Sequence, residues 1–416
     1  MQRSTERILT THVGSLVRPG AIAEVLRAES LGQPYDAAAF ERILAPAVAD
    51  VVRKQADVGV DIPSDGEFGK VMWTQYVIER LGGIERRELP PGSALMATSS
   101  KDRQDFAEFY AVYNPISLTM WLDPVVLDHL NGAPLQPPGR WVCTQPITYT
   151  GRHALQRDII NFLQALKSTQ VTEAFLPLAA PASVEATIPN EYYASDEEYV
   201  YALADALREE YLQVIDAGLL LQVDDAFIPY NYDRMLLQGA SMEEYRKHCE
   251  MRIEAVNHAL RGIPEDRVRY HICWGSWAGP HTSDVPLAAI AHLLLRVNAQ
   301  AYSVEAANPR HEYEWKVWRD VARLPEGKIL IPGVITHSTN VVEHPETVAE
   351  RIERYASVVG RENVIAGTDC GFSQGWTMNR THSSVQWAKL QALADGARLA
   401  SGRLWGVHAT RAGVTQ

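Results

Sequence analysis

Short apolar runs that end abruptly in polar residues recur along the chain, and longer segments with helical periodicity separate them. Eight runs are candidate strands: Ile8–Thr11, Val58–Pro63, Trp141–Thr148, Leu219–Val223, Tyr270–Cys273, Ala301–Val304, Ile329–Ile335 and Val364–Ala366. Asp196–Ala217 carries apolar residues near a 3.6-residue period, and His344–Val359 begins with a proline where a first helical residue is favoured. Strands that alternate with helices are typical of parallel βαβ units.

Eight strands of this kind predict an α/β fold, a (β/α)8 barrel rather than an open sheet. A ninth apolar run, Ala174–Ala180, is surplus, and the pattern leaves open whether it or one of the eight lies outside the barrel. Two polar segments, Glu85–Asn114 and Ala180–Asp196, interrupt the alternation. We expect a single barrel domain over residues 1–416 with these segments as loop insertions over its mouth. Solvated insertions without a role fit the pattern equally well.

Composition narrows the functional class. The 416 residues contain 39 basic and 51 acidic side chains, a net charge of −12, and 46% are apolar. The chain lacks the basic clusters that nucleic acids and anionic membranes require, so we expect neither as a partner. Its apolar runs are shorter than the roughly 20 residues of a membrane-spanning helix, and Met1–Thr10 lacks the apolar core of a secretory signal. We therefore expect a cytoplasmic enzyme.

The chain has four cysteines, Cys143, Cys249, Cys273 and Cys370. A long chain without a secretory signal is not the usual setting for a disulfide framework, so these are buried thiols or ligands. Cys143 lies within a predicted strand and Cys249 within a helical pattern, which favours a packing role for both. Cys273 and Cys370 instead follow predicted strands.

Residues with reactive side chains fall at the carboxyl ends of the predicted strands, where the active sites of barrels lie: Glu67, Asp224, His271, Cys273, Glu305, His337 and Cys370. His271 and Cys273 are two residues apart, so on an extended strand both side chains point to one side. A single pair of this kind is more often part of a core, but three strands ending in such residues favour a metal site. Thiolate and imidazole together suit zinc and argue against magnesium or calcium.

Seven blocks, in the same order, resemble the catalytic C-terminal half of cobalamin-independent methionine synthase: Thr10–Leu16, Asp65–Glu67, Leu221–Asp225, His271–Cys273, Ser303–Glu305, Gly333–Ser338 and Asp369–Gly371. The later stretch from Trp387–Leu390 through Leu404–Gly406 is similar to shorter relatives that include epoxyalkane:coenzyme M transferase. The resemblance implies a TIM barrel of the methionine synthase/uroporphyrinogen decarboxylase-like type.

The resemblance also implies one catalytic zinc ion, Zn²⁺, held by His271, Cys273, Glu305 and Cys370, and alkyl transfer to a thiol. Coordination to zinc deprotonates a thiol near neutral pH while its sulfur stays nucleophilic. Four protein ligands would make a closed site, so an incoming thiol must displace one of them. Glu305 is the ligand that we expect to move.

For the remaining chemistry, the resemblance implies that His337 delivers a proton to the leaving group, which its near-neutral intrinsic pKa would suit. A histidine that bonds a neighbouring loop is the alternative, and Asp369 is a candidate to orient the imidazole. The residues matching those that hold the amino-acid part of homocysteine are Ser15, Glu67 and Asp224. Two carboxylates suit an ammonium group.

The chain departs from the family where the alkyl donor would bind. Phe372–Trp376 stands in place of a basic run that meets the folate, which weakens the case for a polyglutamylated folate. Arg18 is a candidate contact for an anionic acceptor such as a sulfonate, whereas we expect His12 to be structural. Three tryptophans are a candidate wall for a smaller donor: Trp274, Trp277 and Trp376. Core packing explains these tryptophans equally well.

The sequence thus predicts a zinc-dependent transferase that moves an alkyl group, methyl in the leading version, to a small thiol such as homocysteine. One alternative is an epoxide-opening thiol transferase or carbon–sulfur lyase, and another is a non-catalytic zinc-binding barrel. The expected partners are a small thiol acceptor and a small alkyl donor. The pattern leaves homo-oligomerisation open.

Overall fold

The computed structural model describes residues 1–30, 32–88, 100–111, 139–276, 278–376 and 378–406. These residues form nine strands: β1 Leu9–Thr10, β2 Leu81–Glu88, β3 Gly139–Tyr149, β4 Phe175–Ala179, β5 Leu220–Asp224, β6 Val268–His271, β7 Ala301–Glu305, β8 Ile329–Ile335 and β9 Ile365–Thr368. Seven of the nine pair in one parallel sheet of order β1-β9-β8-β7-β6-β5-β4. Their carboxyl ends therefore meet at one edge.

The two outer strands of this sheet, β1 and β4, approach the same short segment of chain. Thr11 forms a parallel bridge with Ile62, and the Ile62 N–H donates to the carbonyl of Thr10 at 3.1 Å. On the other side, the Phe175 N–H donates to the carbonyl of Pro63 at 3.1 Å. The predicted run Val58–Pro63 thus contributes hydrogen bonds but no regular strand. The result is a curled parallel sheet, so the structure bears out the predicted (β/α)8 barrel only in part.

Of the nine predicted runs, it is Trp141–Thr148 that lies outside the parallel sheet as a strand of another sheet. That run lies in β3, which pairs antiparallel with β2 in a separate two-stranded sheet, whereas Ala174–Ala180 contains β4 of the parallel sheet. Strands of a parallel sheet are covered on both faces and need near-continuous apolar sequence. β4 is buried at every position, but β3 carries exposed Gln145 and Pro146.

Helices connect the strands and pack with them in one hydrophobic core. Two helical predictions are confirmed, because Asp196–Asp216 and Pro345–Val359 are helices that begin at the Ser195 and His344 side-chain caps. The α-helices are α1 Gly20–Ser30, α2 Ala37–Asp57, α3 Lys101–Asp105, α4 Arg152–Leu166, α5 Pro181–Glu185, α6 Asp196–Asp216, α7 Phe227–Leu237, α8 Met242–Ala259, α9 Leu287–Leu294, α10 Val317–Asp320, α11 Pro345–Val359 and α12 Ser383–Trp405. Within the described ranges, none is both long and apolar enough to cross a membrane.

A second, smaller core fills the inside of the curled sheet, and strand residues supply it: Leu9, Ile62, Phe175, Leu220, Ala301, Ile329, Ile331 and Ile365. Arg269 of β6 is buried beside this core with its guanidinium 3.9 Å from the ring centroid of Phe175. It donates to Thr11 Oγ1 and to the carbonyl of His12, both at 2.9 Å. This arginine therefore ties β6 to the turn that follows β1.

The proposed insertions are described in part. In Glu85–Asn114, residues 89–99 and 112–114 lie outside the described residues, as does Trp277. In Ala180–Asp196 the chain forms α5 and then a bend in which Asn190 bridges to Cys143 of β3. Both insertions thus contact the β2–β3 pair or the loops beyond the parallel sheet.

Candidate active site

Two parallel strands deliver three metal-ligating side chains to one place. His271 is the last residue of β6, Cys273 follows it by two, and Cys370 comes two residues after β9. Their ligand atoms all lie within 4.8 Å of one another, and all three side chains are buried. The two Sγ atoms are 3.5 Å apart. We call His271, Cys273 and Cys370 the donor set.

The donor set suits zinc in spacing and in chemistry. Tetrahedral zinc with Zn–S bonds near 2.3 Å places two sulfurs about 3.8 Å apart, close to the spacing observed here. His271 Nδ1 lies 3.3 Å from Ser303 Oγ, which fixes the ring. Its other nitrogen, Nε2, is buried and has no hydrogen-bond partner among the described residues. A buried nitrogen in that condition is free to bind an ion.

The two thiols differ in acidity. The contact with the Cys273 thiol holds the pKa of Cys370 well below its ordinary range, and His271 acts in the same direction. Conversely, the neighbouring Cys370 and burial raise the pKa of Cys273. Ser276 Oγ also donates to Cys370 Sγ at 3.3 Å. Cys370 is therefore the readier of the two to bind a metal as thiolate.

Glu305, at the end of β7, lies beside the donor set but outside it. Its Oε1 accepts from the Trp274 N–H and its Oε2 from Asn308 Nδ2, both at 2.8 Å. The carboxylate is buried, which raises its pKa. Three protein donors thus come together, and three is the number that leaves a catalytic zinc one open position.

His337 follows β8 and is 2% exposed. Neither ring nitrogen has a hydrogen-bond partner within the described part of the chain. Burial lowers its pKa to about 4 although Cys370 acts to raise it, so the imidazole is neutral at pH 7. Asp369 makes no hydrogen bond to the ring, whose nitrogens both lack a partner among the described residues, and its Oδ1 accepts from Ala306 and Ala307 N–H at 2.7 and 2.9 Å.

The predicted acceptor carboxylates lie on the other side of the donor set. Asp224 ends β5, and burial raises its pKa to about 7, with nearby His271 lowering and Glu67 raising it. Its Oδ1 accepts from Gln222 Nε2 at 2.7 Å. Glu67 has a left-handed backbone, φ 59°, and its buried Oε2 lies 3.7 Å from Lys70 Nζ. Asp224 is thus near both Glu67 and the donor-set residue His271.

Ser15 joins the same site through Gly371. The Phe372 N–H donates to the carbonyl of Ser15 at 2.9 Å, and a Cβ on Gly371 would collide with Ser15 Oγ. Gly14 is needed for a similar reason: its φ is +140°, and a Cβ there would lie 2.9 Å from Glu67 Oε1. The two glycines let Ser15 and Glu67 approach the loop that carries Cys370.

Sequence reasoning missed two basic residues near the site. Lys70 is buried, donates to the carbonyl of Pro177 and lies 4.4 Å from the ring centroid of Tyr76. Its position one helical turn after Glu67 was the available signal. Arg380 donates to Gln374 Oε1 at 2.9 Å, and its charge lowers the pKa of His337. The loop after Cys370 therefore does contain a basic residue, later than the family pattern has it.

Other sequence candidates have structural partners. Arg18 is buried and donates to the carbonyls of Glu67 and Lys70, each at 2.9 Å, so its charge is committed to holding that turn. His12 Nε2 lies 2.6 Å from Gln55 Oε1, which confirms the structural interpretation. The free thiols of Cys143 and Cys249 are buried, as expected for packing residues, and neither belongs to the donor set.

A second buried histidine cluster, the His311 network, lies behind Glu305. His311 Nδ1 is 2.8 Å from Glu314 Oε2, and its Nε2 is 3.0 Å from Asp284 Oδ2. Burial alone would lower the pKa of His311, but these two carboxylates raise it to about 10. Its ring stacks on Trp274 at 4.0 Å between centroids. Trp274 is therefore a packing residue in this structure.

Part of the first insertion docks on the loop that follows the donor set. Asp102 is buried, and its Oδ1 accepts from Thr282 N–H at 3.0 Å and from Thr282 Oγ1 at 2.9 Å. Its Oδ2 accepts from Tyr110 at 2.7 Å, and its own N–H donates to Asp233 Oδ1 at 3.0 Å. The described residues 100–111 thus contact helix α7 and the loop after β6.

Comparison with known proteins supports a relation to methionine synthases. No family model matches the chain. A methionine synthase of Sulfolobus acidocaldarius is 23% identical over 366 residues, which cover 87% of this chain and 85% of the relative. The uncharacterized protein YxjH of Bacillus subtilis is 24% identical over 392 residues, 92% of each chain.

Among solved structures, a B12-independent methionine synthase from Shewanella sp. W3-18-1, in complex with selenomethionine, superposes with a TM-score of 0.68. The identity is 19%, and the match covers 96% of this chain and 100% of the other. The chain therefore has the fold of that synthase and is similar in sequence to proteins named methionine synthase.

Proposed function

We propose that the protein is an enzyme that transfers an alkyl group, methyl in the leading version, to a small thiol such as homocysteine with the help of zinc. The observation that carries the proposal is the buried donor set, whose three ligand atoms lie within 4.8 Å of one another. Similarity to proteins named methionine synthase supports the same reaction class. The polar groups around the donor set supply the remaining requirements.

His271, Cys273 and Cys370 would hold the ion, with Glu305 as the exchangeable fourth ligand. Zinc bound there supplies the Lewis acidity that keeps a thiol deprotonated and nucleophilic near neutral pH. Glu305 already has hydrogen bonds from Trp274 and Asn308 that would hold it while the thiol occupies the open position. Its carboxylate need not be left unpaired when displaced.

Glu67 and Asp224 would bind the ammonium group of an amino-acid thiol. Glu67 Oε2 accepts no hydrogen bond among the described residues, although Lys70 Nζ lies 3.7 Å away, so it can still accept one from a ligand. Asp224 is buried between Glu67 and His271, close enough for both charges to affect its pKa. Ser15 would meet the carboxylate with its hydroxyl and the adjacent backbone. These contacts would orient the thiol towards the donor set.

His337 would carry the proton. Both ring nitrogens lack a hydrogen-bond partner among the described residues, so one of them can take up the proton that the thiol loses. The same proton then passes from the imidazolium to the leaving group, either the nitrogen that releases the methyl group or an epoxide oxygen. The proton count balances over the reaction, and His337 returns to its neutral form.

Two measurements test the proposal. Zinc K-edge spectroscopy of the zinc-loaded protein, with and without homocysteine, is expected to show one additional sulfur neighbour when the thiol binds. A single-turnover assay then pairs homocysteine and other small thiols with methyl donors or with epoxides. Methylation of homocysteine is the expected product, and product from an epoxide alone would move the assignment to the epoxide-opening alternative.

The third possibility is a non-catalytic zinc-binding barrel. It predicts a zinc spectrum that homocysteine leaves unchanged and no product with any donor. That pair of results would overturn the proposed activity while leaving the metal site intact. A matched homocysteine analogue that lacks the thiol serves as the control, because it should not alter the zinc spectrum even if it occupies the acceptor site.

A further inference from the structure

The loop that carries His337 is tied to the C-terminal helix by a buried ion pair. Lys389 of α12 has a side chain that is 0% exposed, and its Nζ lies 2.9 Å from Glu343 Oε2. The same ammonium donates to the carbonyl of Val341. Lys389 therefore has two contacts on the loop that follows β8 and reaches back towards α11.

Glu343 passes this constraint to the residue before His337. Its second oxygen, Oε1, accepts from the Thr336 N–H at 2.9 Å, and Thr336 Oγ1 lies 2.9 Å from Ser338 Oγ. The N–H of Ser338 in turn donates to Thr336 Oγ1 at 3.3 Å. The residues on both sides of His337 are thus held by hydrogen bonds, whereas the imidazole itself has no partner among the described residues.

A purely stabilising role does not account for this pair well. Burying an ammonium and a carboxylate costs about as much free energy as their attraction returns, and apolar replacements are often neutral or better. What the ion pair does provide is a single orientation of Glu343, because both of its oxygens are occupied. A loop that must hold an unbonded imidazole in place needs support of this kind.

We infer that Lys389 and Glu343 are positioning residues for His337: the ammonium fixes the carboxylate, the carboxylate fixes the Thr336 amide, and the imidazole is thereby held beside the donor set. The inference rests on the proposed function for its catalytic consequence, but not for the structural linkage. Lys389 lies in the Trp387–Leu390 segment, so this segment would support the catalytic loop.

The catalytic test uses Lys389→Met and Glu343→Gln in the zinc-loaded enzyme. Both are expected to lower kcat, by up to about 100-fold, because a misplacement near 1 Å can cost that much. KM for the thiol and the zinc content should stay within about twofold, since neither residue touches the donor set or the acceptor carboxylates. Lys389→Arg, which keeps the charge, should recover most of the lost kcat.

Arg252→Met is the matched control, because Arg252 forms another buried pair, with Glu185 at 2.6 Å. It should destabilise the fold as much as Lys389→Met but leave kcat unchanged. If Lys389→Met loses stability and keeps kcat, or loses zinc and kcat together, the positioning role is wrong. The same holds if Lys389→Arg is no better than Lys389→Met.

Hydrogen exchange separates this inference from the proposed function. In the zinc-loaded protein the Thr336 amide should be protected, and Lys389→Met should accelerate its exchange at least about tenfold while Arg252→Met does not. That measurement needs no substrate. Unchanged exchange at Thr336 would overturn the linkage even in an active enzyme, whereas accelerated exchange in a protein that alkylates no thiol would retain the linkage and reject the activity.

Discussion

Two buried histidine clusters follow the carboxyl ends of neighbouring strands, yet they differ in whether the histidine nitrogens have hydrogen-bond partners. In the His311 network, both ring nitrogens of His311 face carboxylates, from Glu314 at 2.8 Å and Asp284 at 3.0 Å. Around the donor set, His271 Nε2 and both nitrogens of His337 have no hydrogen-bond partner within the described ranges.

The contrast separates structure from function. A buried polar atom without a partner costs about 1–3 kcal/mol, and several such atoms gathered at one strand-end site are candidates to bind an ion or a substrate. A buried, fully paired cluster serves packing and loop order instead. Residue type does not make this distinction, since both clusters contain histidines and acids.

The largest expected effect comes from breaking the donor set. Cys273→Ser or Cys370→Ser should lose zinc and activity together, with activity lower by at least about 1000-fold, because the ion contributes several kcal/mol to the reaction barrier. Zinc content by atomic absorption and a thiol alkylation assay measure the two losses.

The control for this prediction is Cys249→Ser, which makes the same substitution at a buried cysteine of α8 outside the donor set. That variant should keep its zinc and its activity. A Cys273→Ser or Cys370→Ser enzyme that retained full activity without zinc would refute the assignment of the donor set.

A substitution in the His311 network should lower the free energy of unfolding and leave the zinc content unchanged. His311→Phe keeps an aromatic ring against Trp274 but leaves Glu314 as a buried carboxylate without its cation and Asp284 with His281 as its remaining histidine partner. Removing one partner of a buried ion pair costs about 3–5 kcal/mol, so the free energy of unfolding should fall by that amount. Denaturant titration checks this, and the zinc content of folded protein should be unchanged. Loss of zinc in folded His311→Phe would erase the distinction between the two clusters.

The pH dependence of the free energy of unfolding tests whether His311 is charged in the folded protein. The pKa of His311 is raised from 6.5 to about 10 in the folded protein, so the folded state binds the proton more tightly than the unfolded state. Its contribution is therefore complete below about pH 6.5 and is lost as pH rises through 10. The free energy of unfolding should fall over that range, and the fall should be shallower in His311→Phe. Equal slopes for the two proteins would contradict the charged state of His311.

The sequence predicted much of this arrangement because strand ends are local features. The predicted runs that end near Asp224, His271, Glu305 and His337 overlap strands of the parallel sheet, and His271 and Cys273 do come together, although β6 ends at His271 and Cys273 lies just beyond it. These predictions needed only the two-residue period of a strand and the rule that parallel strands end at one edge.

The errors concern pairing, which is not local. Trp141–Thr148 has strand-forming residues, but whether it joins the parallel sheet depends on what covers its faces. The intrinsic pKa of a histidine likewise does not show that the pKa of His337 falls to about 4, because burial is a tertiary property. The hydrogen bonds that Glu305 accepts from Trp274 and Asn308 are tertiary contacts as well, and no spacing rule predicts them.

A smaller effect is expected at Glu67, whose Oε2 accepts no hydrogen bond among the described residues. Glu67→Gln preserves shape but removes the charge offered to an ammonium, so KM for homocysteine should rise about 10- to 100-fold, the equivalent of roughly 1.5–3 kcal/mol. Both kcat and zinc content should change little. A thiol of similar length without an amino group is the comparison substrate, and its KM should not respond. An equal rise for both thiols would mean that Glu67 supports the turn and does not bind the ammonium.

The smallest effect is expected at Asp102, whose two carboxylate oxygens both accept hydrogen bonds from protein groups. Asp102→Asn keeps an oxygen for Thr282 but replaces the charged acceptor of Tyr110 with a neutral amide group, so that hydrogen bond is weakened at a cost of about 1 kcal/mol. Because both oxygens of this carboxylate accept hydrogen bonds from protein groups, zinc content and KM for the thiol should stay within about twofold. Denaturant unfolding measures the loss of stability, and steady-state kinetics with a varied alkyl donor measures KM for the donor. A rise of tenfold or more in KM for the donor would show that residues 100–111 form part of the donor pocket, and that a paired residue can also carry function when its pairing shapes the mouth of the site.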